Sequence, residues 1–240
     1  MISLNIITNN ILFGIVLSLL AFEIGLYIYR KTKIPVFNPL LISICIVIIF
    51  LLAFNVDFET YNEGAKFINM FLGPSTVILA VPLYKQIELL KKHATSIIIG
   101  VLLGSLLGIF SVIGLSYIMG LDASLIKSLL PKSVTTPIGI ELSNQLGGIV
   151  PITVLAIIIS GITGAVLGPI ICKLFKINDR VAIGVALGTA AHAVGTTKAL
   201  ELGETEGAMS GLSIGIAGIM TVFIAPISYK IALLIYGLII

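Results

Sequence analysis

Two stretches carry ionisable and hydroxyl side chains in a chain that is otherwise almost wholly apolar. The first is PKSVTTP, Pro131 to Pro137, which presents Lys132, Ser133, Thr135 and Thr136. The second runs from Ala186 to Leu212 and presents His192, Thr196, Thr197, Lys198, Glu201, Glu204 and Glu206. In hydrocarbon each ionised side chain costs about 2.5–3.5 kcal/mol on insertion, so such groups mark a functional path. The second stretch begins as an apolar helix and is interrupted at Gly195-Thr196-Thr197. An interrupted helix is tolerated in lipid only where protein or a water-filled cavity satisfies its backbone. The two stretches therefore read as two halves of a solute pathway that meet within the membrane.

The composition requires a membrane. Of 240 residues, 58% are hydrophobic and 10% charged, and mean hydropathy is +1.19, whereas soluble domains carry roughly 25% charged residues. The apolar runs are long and continuous, which excludes the short alternating segments of an outer-membrane barrel. The expected fold is an all-α polytopic membrane protein in one transmembrane domain, residues 1–240, with about seven to eight transmembrane segments. No basic patch with interleaved aromatics points to nucleic acid. Cys45 and Cys172 read as small packing residues, and no metal site or cofactor is expected. No zinc-protease, P-loop or nucleophile-elbow motif suggests an enzyme.

In chain order, spans are expected at 10–29 and 35–54, with an acidic loop over 55–66. A third, 67–84, contains Gly73, Pro74 and Pro82 and should be broken or re-entrant. A fourth, 95–119, repeats Gly100, Gly104 and Gly108 on one face, a pattern for close helix packing. Residues 122–148, with Pro137 as a helix break, read as a re-entrant loop or broken helix, the plainer alternative being an extramembrane turn with an amphipathic helix. A span at 149–175 has its own small face of Gly161, Gly164 and Gly168. The interrupted span at 181–200, with Gly195 as its break, and a last span at 207–226 complete the set, the acidic residues 201–206 forming the turn between them. Lysines and arginines after residues 29, 84 and 172 assign those loops to the cytoplasm. An offset of about 115 residues suggests two repeats, about 1–119 and 120–240. The loop charges make them inverted, a recurring transporter plan with discontinuous helices.

PKSVTTPI together with ALGTAAHAVGTTKALELGETEGAMSGL resembles the LrgB/CidB family over nearly the whole chain. The resemblance implies the larger membrane subunit of a holin/antiholin-like pair, with a small LrgA/CidA-type membrane partner. The same family includes the C-terminal part of the plastid glycolate/glycerate transporter, and several bacterial pairs look like pyruvate carriers. Its older label is regulation of murein hydrolase activity and cell lysis. For a carrier of small carboxylates, Lys132 and Lys198 would supply positive charge. Ser133, Thr135, Thr136, Thr196 and Thr197 would supply hydroxyl donors. His192, Glu201 and Glu141 would serve as proton or ion-pair groups. Plainer roles compete: Lys198 as a helix end at the interface, His192 as a hydrogen-bonded core residue, Glu204 and Glu206 as a solvated turn. A homo-oligomer in the lipid bilayer of the cell membrane is expected. The function is then a monocarboxylate transporter or, alternatively, an antiholin-like regulator acting by membrane assembly.

Overall fold

The computed structural model describes residues 10–32, 37–71, 74 and 80–237. Every regular element among them is a helix. They run α1 Leu12–Thr32, α2 Pro39–Ala53, α3 Phe58–Asn69, α4 Ala80–Lys85, α5 Ile87–Ile118, α6 Ala123–Leu129, α7 Thr136–Leu146, α8 Val150–Leu174, α9 Arg180–Leu202 and α10 Glu204–Gly237. Four are long and apolar enough to cross a membrane: α1, α5, α8 and α10 to Leu234. Helix α2 is a shorter apolar helix. The chain divides into two compact units at residues 78 and 79.

In the first unit, α1 packs on α2 and α3. Gly14 and Gly64 face each other, so a methyl at either would overlap the other helix's backbone. The Ser18 and Tyr61 hydroxyls bond at 2.7 Å. The acidic loop expected over 55–66 is therefore mostly helix: α3 forms because Gly64 lets its backbone seat against α1. Gly73 lies outside the described residues, and Pro74 is described without its neighbours, so the break expected at 67–84 falls largely outside them.

The second unit is organised around α8. Helix α5 enters from the end bearing Lys91, Lys92 and His93, which are helical and not in a loop. Asp122 then caps α6, accepting from the Leu125 N–H at 2.8 Å. That bond and the Ser124 hydroxyl hold its carboxyl below the usual range. Helices α6 and α7 are joined by a turn over residues 130–135. Pro137 lies in the first turn of α7 with Thr135 as its cap, so it starts a helix and does not break one. Gly147, at φ +75°, ends α7 in the left-handed conformation that glycine adopts without cost.

This helix–turn–helix is pinned to the start of α8 by hydroxyls. Ser128 Oγ accepts from the Ile149 N–H at 2.6 Å. Thr153 Oγ1 lies 2.8 Å from the Ser128 carbonyl oxygen and 2.7 Å from Ser143 Oγ. Gly139 of α7 then lies against Thr153 and Ile157, a turn further along α8.

Helix α9 is not one rod. His192 has φ +40° and ψ −132°, and the chain reverses there. Gly184 and Gly188 of the first arm pack on Glu206 and Ser210 of α10, whereas Thr196 and Leu200 of the second arm meet Ser210 and Gly207. The two arms thus run in opposite directions. Gly195 is not the break; it lies so close to Leu187 of the first arm that a side chain would overlap that residue's carbonyl. The three-residue interruption expected at 195–197 is displaced to His192 because the hairpin needs a reversal at its tip and a bare backbone just beyond it.

Helix α10 continues from Glu204 to Gly237 through Pro226, so the residues after 226 extend the same helix. Gly100 beside Val185 and Gly104 beside Thr189 show α5 running the same way as the first arm of α9, as α10 does. The helices paired by a 115-residue offset, 95–119 and 207–226, therefore run in the same direction, so that pairing is not an inversion.

Replacing Gly188 by Val should cost about 1–3 kcal/mol of stability, because the added atoms meet the Ser210 backbone. Gly215→Ala, where nothing lies within 4 Å of the new carbon, should be neutral or stabilise by up to about 1 kcal/mol. Thermal unfolding of the purified protein in detergent measures both.

Candidate functional site

Both hairpins reach their tips beside the same part of α8. Its 25 residues span about 37 Å. Ile157 and Gly161 lie about 10–17 Å from its start. The arms of α9 are about 15–18 Å long, half the roughly 30 Å thickness of a bilayer core. His192 packs on Gly161, where a methyl would lie 2.7 Å from the ring atoms Cε1 and Nε2. Gly164 admits Ala191, and Gly168 admits Leu187. The small face of α8 is thus the bed of the first arm of α9. From the other end, α7 brings Gly139 onto Ile157. Ile157 touches both hairpins and is fully buried.

At the α9 tip the geometry fixes the imidazole. His192 Nε2 lies 2.9 Å from the Ile157 carbonyl oxygen. A carbonyl can only accept, so Nε2 carries the proton and Nδ1 is left to accept or to be protonated. His192 is buried, at 4% exposure. Its carbonyl accepts from Thr196 Oγ1 at 3.1 Å, and that hydroxyl also meets Ser210 Oγ at 2.7 Å. Thr196 is therefore a strut between the two arms and α10.

A cavity of about 690 Å³ opens alongside these tips. Lys132 and Ser133 line it from the α6–α7 turn, Ser105 and the three glycines Gly100, Gly104 and Gly108 from α5, Thr189 from α9 and Thr221 from α10. The Lys132 ammonium donates to Ser133 Oγ at 3.0 Å, and no carboxylate is within ion-pair reach of it among the described residues. Thr189 Oγ1 is buried and has no hydrogen-bond partner. The cavity thus joins a positive charge to several hydroxyls on a mostly apolar wall, an arrangement that can hold a small anion.

The other expected residues are dispersed. Thr135 and Thr136 begin α7 and are half-buried. Thr197 is exposed and bonds its own helix at Ala193 O, 3.2 Å away. Lys198 pairs with Glu201 at 2.8 Å on the outer side of the second arm. Glu141 is exposed and accepts from Gln145 Nε2 at 2.9 Å. Glu204 pairs with Lys85 at 3.2 Å and is exposed. Glu206 is not the solvated turn residue expected: it is 7% exposed because Gly203 and Gly184 close over it. Thr189, Ser105 and Ser210 were not singled out from sequence. Thr189 lies three residues before His192 in the same polar stretch, and that proximity is the signal that could have found it.

The long apolar helices define a polytopic helical membrane protein, and its second unit holds a cavity lined by a half-buried lysine and several hydroxyls. The model of the LrgB-like family matches residues 18–231. The chain is 38% identical to the antiholin-like protein LrgB of Bacillus cereus (strain B4264) over 215 residues, 89% of this chain and 94% of that protein. The same figures hold for the antiholin-like protein LrgB of Bacillus anthracis (strain A0248). No solved structure matches the chain. The chain belongs to the LrgB-like family, and it is a multi-pass protein of the cell membrane.

His192 holds a backbone conformation that costs a non-glycine residue about 1–3 kcal/mol. His192→Ala keeps that cost and loses the bond to Ile157, so it should be less stable than wild type by about 1–2 kcal/mol. His192→Gly removes the cost and should be about 1 kcal/mol more stable than His192→Ala. Comparing their unfolding midpoints isolates the backbone contribution from that of the ring.

Proposed function

We propose that this chain moves a small monocarboxylate of the pyruvate, glycolate or glycerate type across the cell membrane. The observation that carries the reading is the cavity lined together by Lys132, Ser133 and the unpartnered Thr189, which lies three residues before His192. A buried hydroxyl without a partner costs about 1–3 kcal/mol, and a ligand oxygen would satisfy it. Lys132 is the counter-charge for the carboxylate, and Ser133 and Thr189 orient it. His192, with Nε2 committed to Ile157, offers Nδ1 for a proton or for the solute. Lys198, already paired with Glu201, supports the rim of the second arm.

In this reading α5 with the α6–α7 hairpin and α8 with the α9 hairpin are two inverted halves. Each is a crossing helix followed by a re-entrant pair, with tips near the bilayer midplane. The end bearing Lys91, Lys92, Lys173, Lys176 and Arg180 faces the cytoplasm by its charge. The cavity extends from His93 and Asp179 at that end to Lys132, so it is the inward access path. Two hairpins and α1, α2, α5, α8 and α10 account for about seven membrane segments. A small LrgA/CidA-type partner and a homo-oligomer complete the assembly.

The second reading is an antiholin-like regulator of murein hydrolase activity and cell lysis. The name of its relatives, antiholin-like protein LrgB, favours it. A regulator acting only by assembly needs adhesive outer faces and has no use for an internal cation.

Uptake of labelled pyruvate or glycolate into proteoliposomes, with and without a small partner subunit, separates the two. Lys132→Ala should lower uptake at least about tenfold, the scale of a lost charge-assisted contact. Lys198→Ala should stay within about twofold of wild type, as expected for an exposed ion pair. Absence of flux for every small acid tested, with an intact lysis phenotype in cells, leaves the regulator.

A further inference from the structure

The cavity has further hydroxyls that belong to the long helices and not to the hairpins. Ser105 of α5 and Thr221 of α10 line it, and both are buried, at 8% and 5% exposure. A serine or threonine inside a helix commonly bonds back to a carbonyl one turn earlier, as Ser111 does to Gly108 at 2.7 Å and Ser213 to Met209 at 2.8 Å. Ser105 and Thr221 make no such bond, and neither hydroxyl has another partner among the described residues. Their packing sets them at one level. Val101 and Ala217 belong to one apolar cluster, Ile109 and Ala225 to the next. Ser105 is four residues from both Val101 and Ile109, and Thr221 is four from both Ala217 and Ala225. The rest of the site lies near this level. A methyl on Gly104 would lie 2.9 Å from Thr189 Cγ2, and Leu130, two residues before Lys132, packs in the cluster of Ile109. Residues 104 to 109 span only about 7–8 Å of α5. The other charged lining residues are remote: His93 precedes Gly104 on α5 by about 16 Å, and Asp179 lies before the start of α9.

One cation and several hydroxyls at one level suit a particular kind of anion. Lys132 balances a single negative charge, so a second carboxylate on the solute would be buried uncompensated. In the carrier reading the carboxylate engages Lys132, Ser133 and Thr189, which leaves Ser105 and Thr221 without a role. Resting on that reading for what is bound, we propose that Ser105 and Thr221 are a specificity-determining pair. They bond the oxygen on the carbon next to the carboxylate. The cavity thereby takes 2-oxo and 2-hydroxy monocarboxylates and rejects acids that lack that oxygen. A hydroxyl donates through its proton, accepts through its lone pairs, and rotates to suit. Both members of the pair can donate to a 2-oxo group. With a 2-hydroxyl, one donates and the other accepts. An acid with only carbon and hydrogen at that position offers neither, and leaves both hydroxyls unpaired against an apolar wall. Sites that bond a substrate oxygen reject the analogue lacking it far more strongly than apolar pockets reject a change of size.

The test uses two matched pairs of acids, pyruvate against propionate and glycolate against acetate, whose members differ only at that carbon. Binding to the full-length protein in detergent is read from ligand-induced thermal stabilisation, and flux from uptake into proteoliposomes. In wild type the oxygenated acid of each pair should bind at least about tenfold more tightly than its partner. Ser105→Ala and Thr221→Val should each cut that ratio at least about threefold, and the double variant should bring it to within about twofold of one. Thr221→Ser, which keeps the hydroxyl, should keep the ratio, and this separates loss of the bond from a packing defect. Lys132→Ala should weaken both members of a pair together. A wild-type ratio near one overturns the proposal, and so does a ratio that survives the double variant. Preferential binding without flux would keep the pair and discard the carrier. Flux of pyruvate and propionate at equal affinity would keep the carrier and discard the pair. Absence of both binding and flux for all four acids overturns the two together.

Discussion

The proposed membrane arrangement depends on one constraint: a chain that reverses inside hydrocarbon must satisfy its own backbone there. A straight helix does this unaided, but a hairpin tip does not. At the α9 tip the Ile157 carbonyl is engaged by the His192 ring, and the His192 carbonyl by Thr196. At the other hairpin, Ser128, Ser143 and Thr153 close the backbone at its base. Each of these hydroxyls would be costly at depth if unpaired. Paired, they convert two otherwise forbidden reversals into fixed parts of the fold.

Small residues decide how near the reversals can come to α8. Gly161, Gly164 and Gly168 lie along one face at three- and four-residue spacing, and each receives a different side chain of the first α9 arm. In lipid there is no hydrophobic force between helices, so contact area and hydrogen bonds must supply the attraction. Removing the side chain from α8 at three levels gives that arm a continuous bed. The same argument applies to Gly139, which brings α7 onto Thr153 and Ile157. The glycines of α5 have another role. Gly100 and Gly104 lie near side chains of α9, Gly108 has nothing within 4 Å, and all three border the cavity. Three glycines on one face can thus make a contact or a void, and the facing helix determines which.

This explains what could be read from the sequence. The all-helical membrane class followed from composition, and the two polar stretches at 131–137 and 186–212 were visible as polarity out of place. Their meeting near the middle of α8 follows from the same cost argument. The position of the second reversal was not legible. Gly195-Thr196-Thr197 has the residue types of a break, yet the reversal falls at His192, a residue that local propensity would not choose. Gly195 is required by the close approach of the returning arm, which is a tertiary fact. Lys198 and Lys132 are equivalent as sequence, each a lysine beside hydroxyls. Only the fold separates the one at the rim, neutralised by Glu201 three residues on, from the one that lines the cavity. Glu206 was misread for a related reason: an acidic run between two helices is usually solvated, and the two glycines that enclose it lie at 184 and 203.

The arrangement of charge bears on how such a site can work. Lys132 sits on one hairpin and His192 on the other, and the α9 hairpin is tied to α10 by Thr196 and Ser210. A displacement of either hairpin changes the distance between the two groups. A ligand oxygen shared between Lys132 and Thr189 would likewise bridge the α6–α7 turn and α9. Binding would then favour arrangements in which the hairpins are close, and release would favour those in which they part. A fixed helical pore lacks this property, because its lining groups keep their spacing whether or not a solute is present. In the proposed carrier, two half-depth hairpins bearing complementary parts of one site would connect occupancy to conformation through the geometry of their tips.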